Sequence, residues 1–339
     1  MKKYFFVLTV SFFILLIVNI VWTISTLINL VVNGIQFFLH GGSFIQSVVT
    51  SVYLKWILLL DLGWIILFLI YLVSRRNYRI ETKRHFLQYE HLTNPRICVV
   101  IPAYNEEATI QQVVKEYRNQ EFVKEVIVID NHSRDRTVEY ARDYGAKVIT
   151  KSENKGFGHS LAMGLKEALK TDANIIVLTE ADGTLSANDI GRMLLYMDYC
   201  DVVKGSRQVQ ILNEKGNLRE GITHVWGNYF LAKLIQLKYL NFIHLGIVNM
   251  NDIGCMLRMF KREVIEKIQD QLTYDGTDIA IGGNGFPLFL DMKCLDEDMR
   301  IIEIPVSYKK RIGKSKFRTD KKMQSLKYGW EFFKLVLTY

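Results

Sequence analysis

Between Tyr4 and Val32 the chain carries no charged side chain, a longer stretch than the roughly 20 apolar residues a helix needs to cross a bilayer. The preceding "MKK" would also suit a secretory signal peptide. Against that, the run exceeds a signal-peptide core and no small-residue cleavage site follows it. A second apolar run, Trp56 to Val73, is interrupted only by Asp61. Together the two runs predict a transmembrane hairpin over residues 1–75.

Basic residues orient the hairpin. Lys2 and Lys3 flank the first run; Arg75, Arg76, Arg79, Lys83 and Arg84 follow the second; the connection, Asn33 to Tyr53, has neither Lys nor Arg. The positive-inside tendency then puts both termini and everything after Arg75 on the cytoplasmic side of the plasma membrane. Residues 76–94 read as a basic cytoplasmic linker. Asp61 has two readings: a functional intramembrane acid, or a shallow one that reaches water or pairs with Lys55, the reading preferred here.

The 339 residues, with a formal net charge of +8, allow one large or two smaller folded units. Cys98, Cys200, Cys255 and Cys294 stand far apart with no CxxC pair, as expected of reduced, mostly buried thiols in the cytosol and not of a zinc site. Basic charge also suits nucleic acid, but a membrane hairpin and an acid-lined cleft speak against it.

From Pro95 the pattern changes. "ICVVI" (97–101), "EVIVI" (125–129), "KVIT" (147–150) and "IIVL" (175–178) are near-continuous apolar runs, as in strands covered on both faces. Helical stretches at 109–119, 137–144 and 160–170 alternate with them. The expected fold class is α/β, a doubly wound, mostly parallel sheet. Ligands bind at the carboxyl ends of such strands. Here those ends read "PAYNEE", "DNHSRD", "KSENKGFGHS" and "TEADGT". Four polar ends on one rim suggest a site. "GFGHSLAMG" lacks GxGxxG spacing and follows the third strand, and no P-loop motif is present.

Acids on such a rim suit a nucleotide-sugar, whose diphosphate leaves more easily when a divalent cation neutralises it. Asp182 is placed to hold that cation, and Asp130 to accept hydrogen bonds from a base or ribose. Each has a plainer alternative: Asp130 as a turn or N-cap residue, Asp182 as a turn acid before Gly183. His132 and His159 fall in rim loops, where a neutral imidazole bonded to a backbone group is the expectation.

"VVIPAYNEEATI", "EVIVIDNHSRDRT", "NKGFGHSLAMGLKEAL" and "TEADGT" resemble, in order and spacing over Ile97 to Arg207, the blocks of family 2 glycosyltransferases of the GT-A fold. "NDIGCMLRMFKREVI" and "RIIEIPVSYKKRIGKSKF" are similar to the branch containing dolichol-phosphate mannose synthase and bacterial polyprenyl-phosphate glycosyltransferases. The resemblance implies that Pro102, Tyr104 and Glu106 line the nucleoside pocket with Asp130 on the base. It implies that Glu180 and Asp182 hold the nucleotide-sugar and a metal, Mg2+ or Mn2+, and that Arg207 faces the sugar or diphosphate. Asp252 would lie beside the acceptor, and Arg311, Ser315 and Lys316 would receive its phosphate. Two positions depart from the family pattern: Glu180 stands where Asp is usual, and Thr184 where Gln often helps hold the metal.

The resemblance divides the soluble part into a nucleotide-sugar-binding half (95–207), an acceptor-side half (208–310) and a basic phosphate-binding loop with a membrane-interface helix (311–339). In that last segment Met323, Leu326, Trp330, Phe333 and Leu337 share one helical face. Lys321, Lys322 and Lys327 could meet anionic headgroups; a helix simply packed on the domain is the alternative.

The expected function is a membrane-anchored, inverting, metal-dependent hexosyltransferase. It would move one sugar from a UDP- or GDP-sugar to polyprenyl (undecaprenyl or dolichyl) phosphate at the cytoplasmic face. A phosphate oxygen is already anionic and needs no strong base; a hydroxyl or lipid-linked sugar acceptor would need one, with Asp252 the candidate. A processive synthase is disfavoured by the missing QxxRW block. A non-catalytic nucleotide-sugar scaffold is disfavoured by the retained acids. The sequence leaves open the sugar, the base and whether the chain forms a homo-oligomer.

Overall fold

The computed structural model describes residues 2–40, 52–74, 89–207, 222–240, 249–272, 283, 285–309, 311–312 and 322–339. The chain divides into two compact units. The first contains two apolar helices, α1 (Lys2–His40) and α2 (Val52–Ser74), both long and apolar enough to cross a membrane. Helix α1 runs past the expected boundary at Val32 because "VVNGIQFFLH" contains no proline and its single glycine costs only about 1 kcal/mol. The rest of the expected connection, residues 41–51, and the basic residues from Arg75 to Arg84 lie outside the described residues.

Within this unit Trp64 Nε1 donates to the Leu8 carbonyl at 2.9 Å. Asn19 Nδ2 donates to both oxygens of Asp61, at 3.1 and 3.3 Å. This corrects the pairing expected of Asp61: its partner is the carboxamide of the neighbouring helix and not Lys55. Lys55 precedes Asp61 on the same helix at a spacing that puts it on a different face.

The second unit is built on a sheet. Its elements in chain order are β1 (Ile97–Ala103), α3 (Ile110–Arg118), β2 (Val123–Asp130), α4 (Thr137–Asp143), β3 (Lys147–Thr150), α5 (Phe157–Ala168) and β4 (Ile175–Leu178). There follow α6 (Asp189–Leu194), β5 (Val202–Ser206), α7 (Ile222–Lys238), β6 (Arg258–Lys261), α8 (Arg262–Ile268), α9 (Phe286–Asp296), β7 (Ile301–Pro305) and α10 (Lys322–Thr338). The strand order is β3-β2-β1-β4-β6-β5-β7. The first four strands are parallel, and β6 inserts antiparallel between β4 and β5.

Every residue of β1 and β4 is buried, which explains why both read as unbroken apolar runs. Helix α5 starts at Phe157, ahead of the expected Ser160, because Gly156 adopts φ 90° and turns the chain into the helix. Its Gly164 lies so close to β1 that an added Cβ would stand 2.2 Å from Val100 Cγ1. That contact lets the helix seat directly on β1. All four cysteines are buried and free, and burial pushes the Cys98 thiol up to about 12.

Candidate active site

The carboxyl ends of β1 to β4 form one rim. Pro102 pairs with Ile129 near the end of β1, and the chain then turns sharply at Asn105, φ 53°. The loops after β1 and β2 are laced together: Asn105 N donates to Ser133 Oγ at 2.8 Å, Arg134 N to Asn105 Oδ1 at 2.8 Å, and Glu106 N to Thr137 Oγ1 at 2.7 Å. Tyr104 and Glu106 are half-buried in this lacework. Asp130 is buried at the end of β2, and Ser133 N donates to both of its oxygens, at 3.3 and 3.2 Å. Asp130 therefore braces the turn after β2 as well as standing on the rim.

Beyond β3, Lys151 Nζ donates to Ser160 Oγ at 2.8 Å, and burial pulls its ammonium down to about 8 against the support of Asp130. His159 lies 3.4 Å from the same ammonium through Nδ1. Burial, followed by the Lys151 charge, lowers the imidazole's proton affinity.

The two acids after β4 differ in environment. Asp182 is buried, and Thr184 commits one of its oxygens: Thr184 N and Oγ1 donate to Oδ1 at 3.0 and 2.7 Å. Gly183 makes that turn at φ 73°, a left-handed conformation that favours glycine. The other oxygen, Oδ2, faces Arg311 Nη1 at 2.9 Å. Glu180 is pushed up to about 8, by burial first and by the Asp182 charge second, with Arg207 and Arg311 opposing. A raised Glu180 eases the repulsion within the pair, because a proton there removes one of two like charges.

Arg207 follows β5 and is fixed by Asp252. Arg207 N and Nε donate to Oδ2, both at 2.9 Å, and Nη2 donates to Oδ1 at 3.0 Å. Asn228 Nδ2, Gly254 N and Cys255 N complete the shell on Oδ1 at 2.8, 3.0 and 3.1 Å. Burial pushes the Asp252 carboxyl up, but the Arg207 charge and these donors together outweigh it and hold the group well below the usual carboxylate range. The guanidinium also lies over the Tyr308 ring, 5.4 Å from its centroid.

Beneath this loop lies a fully buried charge cluster. Asp291 on α9 receives Arg258 Nε and Nη2, each at 2.9 Å, and Lys204 Nζ at 2.5 Å. Arg258 also donates to the carbonyls of Cys255 and Ile253, so it grips the segment that carries Asp252.

Arg311 is the described residue of the expected phosphate-binding trio; Ser315 and Lys316 lie outside the described residues. Its Nη2 reaches Glu106 Oε1 at 3.2 Å, and its buried Nε has no hydrogen-bond partner among the described residues. Sequence reasoning missed Asn228, Tyr308 and Lys151, whose roles depend on contacts distant in the chain. It also missed α7. That helix exposes Trp226, Tyr229 and Phe230, and Phe230 stacks on Phe333 of α10 at 6.3 Å. On α10 itself, Met323, Leu326 and Trp330 are exposed while Leu337 is buried. The amino-terminal part of the expected apolar face is therefore exposed.

Among the described residues no three His, Cys, Asp or Glu side chains gather into a metal cage. Magnesium-type ions need none: they keep waters and take one or two carboxylates together with phosphate oxygens. Glu180 and Asp182 fit that mode, offering hard carboxyl oxygens beside which a guanidinium already stands.

The architecture is that of a GT-A-type glycosyltransferase. Glucosyl-3-phosphoglycerate synthase from Mycobacterium tuberculosis, solved with Mn2+, UDP and phosphoglyceric acid, matches at a TM-score of 0.51 and 18% identity, over 78% of this chain and 85% of that one. The family description "Glycosyl transferase family 2" matches residues 98–269, and the chain belongs to that family. Among relatives, UDP-N-acetylglucosamine–dolichyl-phosphate N-acetylglucosaminyltransferase of Methanococcus voltae is 29% identical over 52% of this chain and 73% of its own length. Polyprenol monophosphomannose synthase of Mycolicibacterium smegmatis is 26% identical over 65% and 80%. Undecaprenyl-phosphate mannosyltransferase of Micrococcus luteus is 24% identical over 65% and 87%.

Proposed function

We propose that this chain is an inverting glycosyltransferase that moves one sugar from a UDP- or GDP-sugar to polyprenyl phosphate. The reaction would take place on the cytoplasmic face of a membrane spanned by α1 and α2. The observation that carries this reading is the state of Asp252. It is the carboxylate the sequence offered as a base, and six N–H groups already surround it. A hydroxyl acceptor needs a base, whereas a phosphate monoester brings its own anionic oxygen. The three relatives named above are lipid-phosphate sugar transferases by name and favour the same acceptor.

In this account Pro102, Tyr104, Glu106 and Asp130 hold the nucleoside. Asp182, with Glu180 beside it, would hold a divalent ion, and that ion would supply neutralisation of the leaving diphosphate's charge. The acceptor oxygen forms its bond to the anomeric carbon as the bond to the diphosphate breaks, and the electron pair leaves with the diphosphate; no proton moves. Arg207, held rigid by Asp252, stabilises charge developing on the diphosphate. Arg311, with Ser315 and Lys316, receives the acceptor phosphate. The exposed Trp226, Phe230, Met323 and Trp330 enter the lipid interface, where amphipathic rings are favoured. Hairpin 1–75, linker 76–94, halves 95–207 and 208–310, and tail 311–339 divide these tasks.

The test is Asp182→Asn, which should abolish transfer while leaving the circular dichroism spectrum and melting temperature close to wild type. Excess chelator should do the same. Full activity under either condition would contradict the metal assignment.

A further inference from the structure

The place for a cation at Asp182 is filled from within the chain. Thr184 occupies Oδ1, so Oδ2 is the oxygen that remains for a metal, and Arg311 Nη1 sits on it at 2.9 Å. A second arm of the same guanidinium is held by Glu106 at 3.2 Å. The arginine is thus clamped between a proposed metal ligand and a proposed nucleoside-pocket residue. The clamp is incomplete, because Nε is buried without a hydrogen-bond partner among the described residues. A buried donor without a protein partner is one that a bound anion can satisfy.

A divalent ion and a guanidinium cannot share one carboxylate oxygen without strong repulsion, so the free ion must displace Arg311 to bind. A diphosphate changes the balance. Its anionic oxygens match the planar fork of an arginine, which binds phosphate through paired N–H groups, and they would satisfy the unpaired Nε. As Arg311 turns from Asp182 to the diphosphate, from where it would also reach the acceptor phosphate proposed above, Oδ2 would be released for a divalent ion.

We infer that Arg311 is a place-holding cation for the donor site: it keeps Asp182 closed to free divalent metal and cedes it when a nucleoside diphosphate arrives. Metal and nucleotide then bind cooperatively, and the coupling is reciprocal. The inference rests on the metal reading proposed above and adds an order to it: little metal binds before the nucleotide.

The test uses the full chain in detergent and reads Mn2+ binding by the loss of the free-ion electron paramagnetic resonance signal, with Mn2+ alone and with UDP or GDP added. Arg311→Gln should bind Mn2+ alone more tightly than wild type, on the order of tenfold, within the range usual for coupled sites. The gain in Mn2+ affinity on adding nucleotide should shrink by a similar factor, and nucleotide affinity should fall. Arg311→Lys, which retains a cation, should stay near wild type for Mn2+ alone, which separates the effect from general loosening of the site. Equal or weaker Mn2+ binding in Arg311→Gln, with Asp182→Asn still abolishing it, would overturn the place-holding role and leave the metal reading standing. Mn2+ binding that survives Asp182→Asn unchanged would overturn the metal reading and this inference with it.

Discussion

The backbone N–H and the Nε–H of Arg207 both donate to a single oxygen of Asp252, each at 2.9 Å. A carboxylate used in this way is an anchor for an arginine and a poor proton acceptor. In the proposed reaction the group that looks like a base in the sequence would instead act on the leaving diphosphate through Arg207.

That role predicts the kinetics of Asp252→Asn. With the anchor weakened, kcat should fall by about 10²- to 10³-fold, the usual effect of losing an aligned charge-stabilising donor. The acid limb of the rate profile should stay where it is, near the second ionisation of a phosphate monoester at about pH 6. Steady-state rates measured across the acidic and neutral range decide the matter. If Asp252 were the base, the variant would lose its acid limb.

Asp291 answers two buried cations, Lys204 and Arg258. Asp291→Ala leaves both uncompensated, and breaking a buried pair from one side costs roughly 3–5 kcal/mol. Thermal unfolding of this variant should show a large fall in melting temperature. The triple variant Lys204→Met, Arg258→Met, Asp291→Leu should restore much of it, because an apolar cluster of similar volume carries no desolvation cost. A small effect of Asp291→Ala would show that the cluster is not desolvated.

Lys151 gives a pH signature. Its folded-state value of about 8 lies below the ordinary 10.5, so between these pH values the unfolded chain binds more protons than the folded one. Stability from this group should rise as pH increases from about 8 to 10.5, and the gain should be lost again as pH falls over the same window. Lys151→Met should lack that rise. Melting temperatures of both proteins on either side of the window test this, and parallel changes would contradict it.

The sequence was most informative where local pattern and environment coincide. The runs at Ile97, Val126 and Ile175 are unbroken because both faces of those strands are covered, and their ends located Asp130, Glu180 and Asp182 on one rim. The rest depends on distant contacts. Four residues, Arg258–Lys261, form the antiparallel strand between β4 and β5, too short a segment to announce itself. Lys204 and Arg258 look like surface residues until Asp291, far along the chain, pairs with both. Asp252 looks like a base because nothing near it in sequence shows that Arg207 and Asn228 converge on it.

The most direct test of the central claim is an acceptor comparison with the full-length protein. Purified protein would be given labelled UDP- and GDP-sugars with polyprenyl phosphate, and in parallel with a lipid-linked sugar bearing only hydroxyl acceptors. Label should appear in a polyprenyl phosphate sugar and depend on Asp182. Label appearing only in the lipid-linked sugar, or nucleotide binding with no turnover on either acceptor, would contradict it.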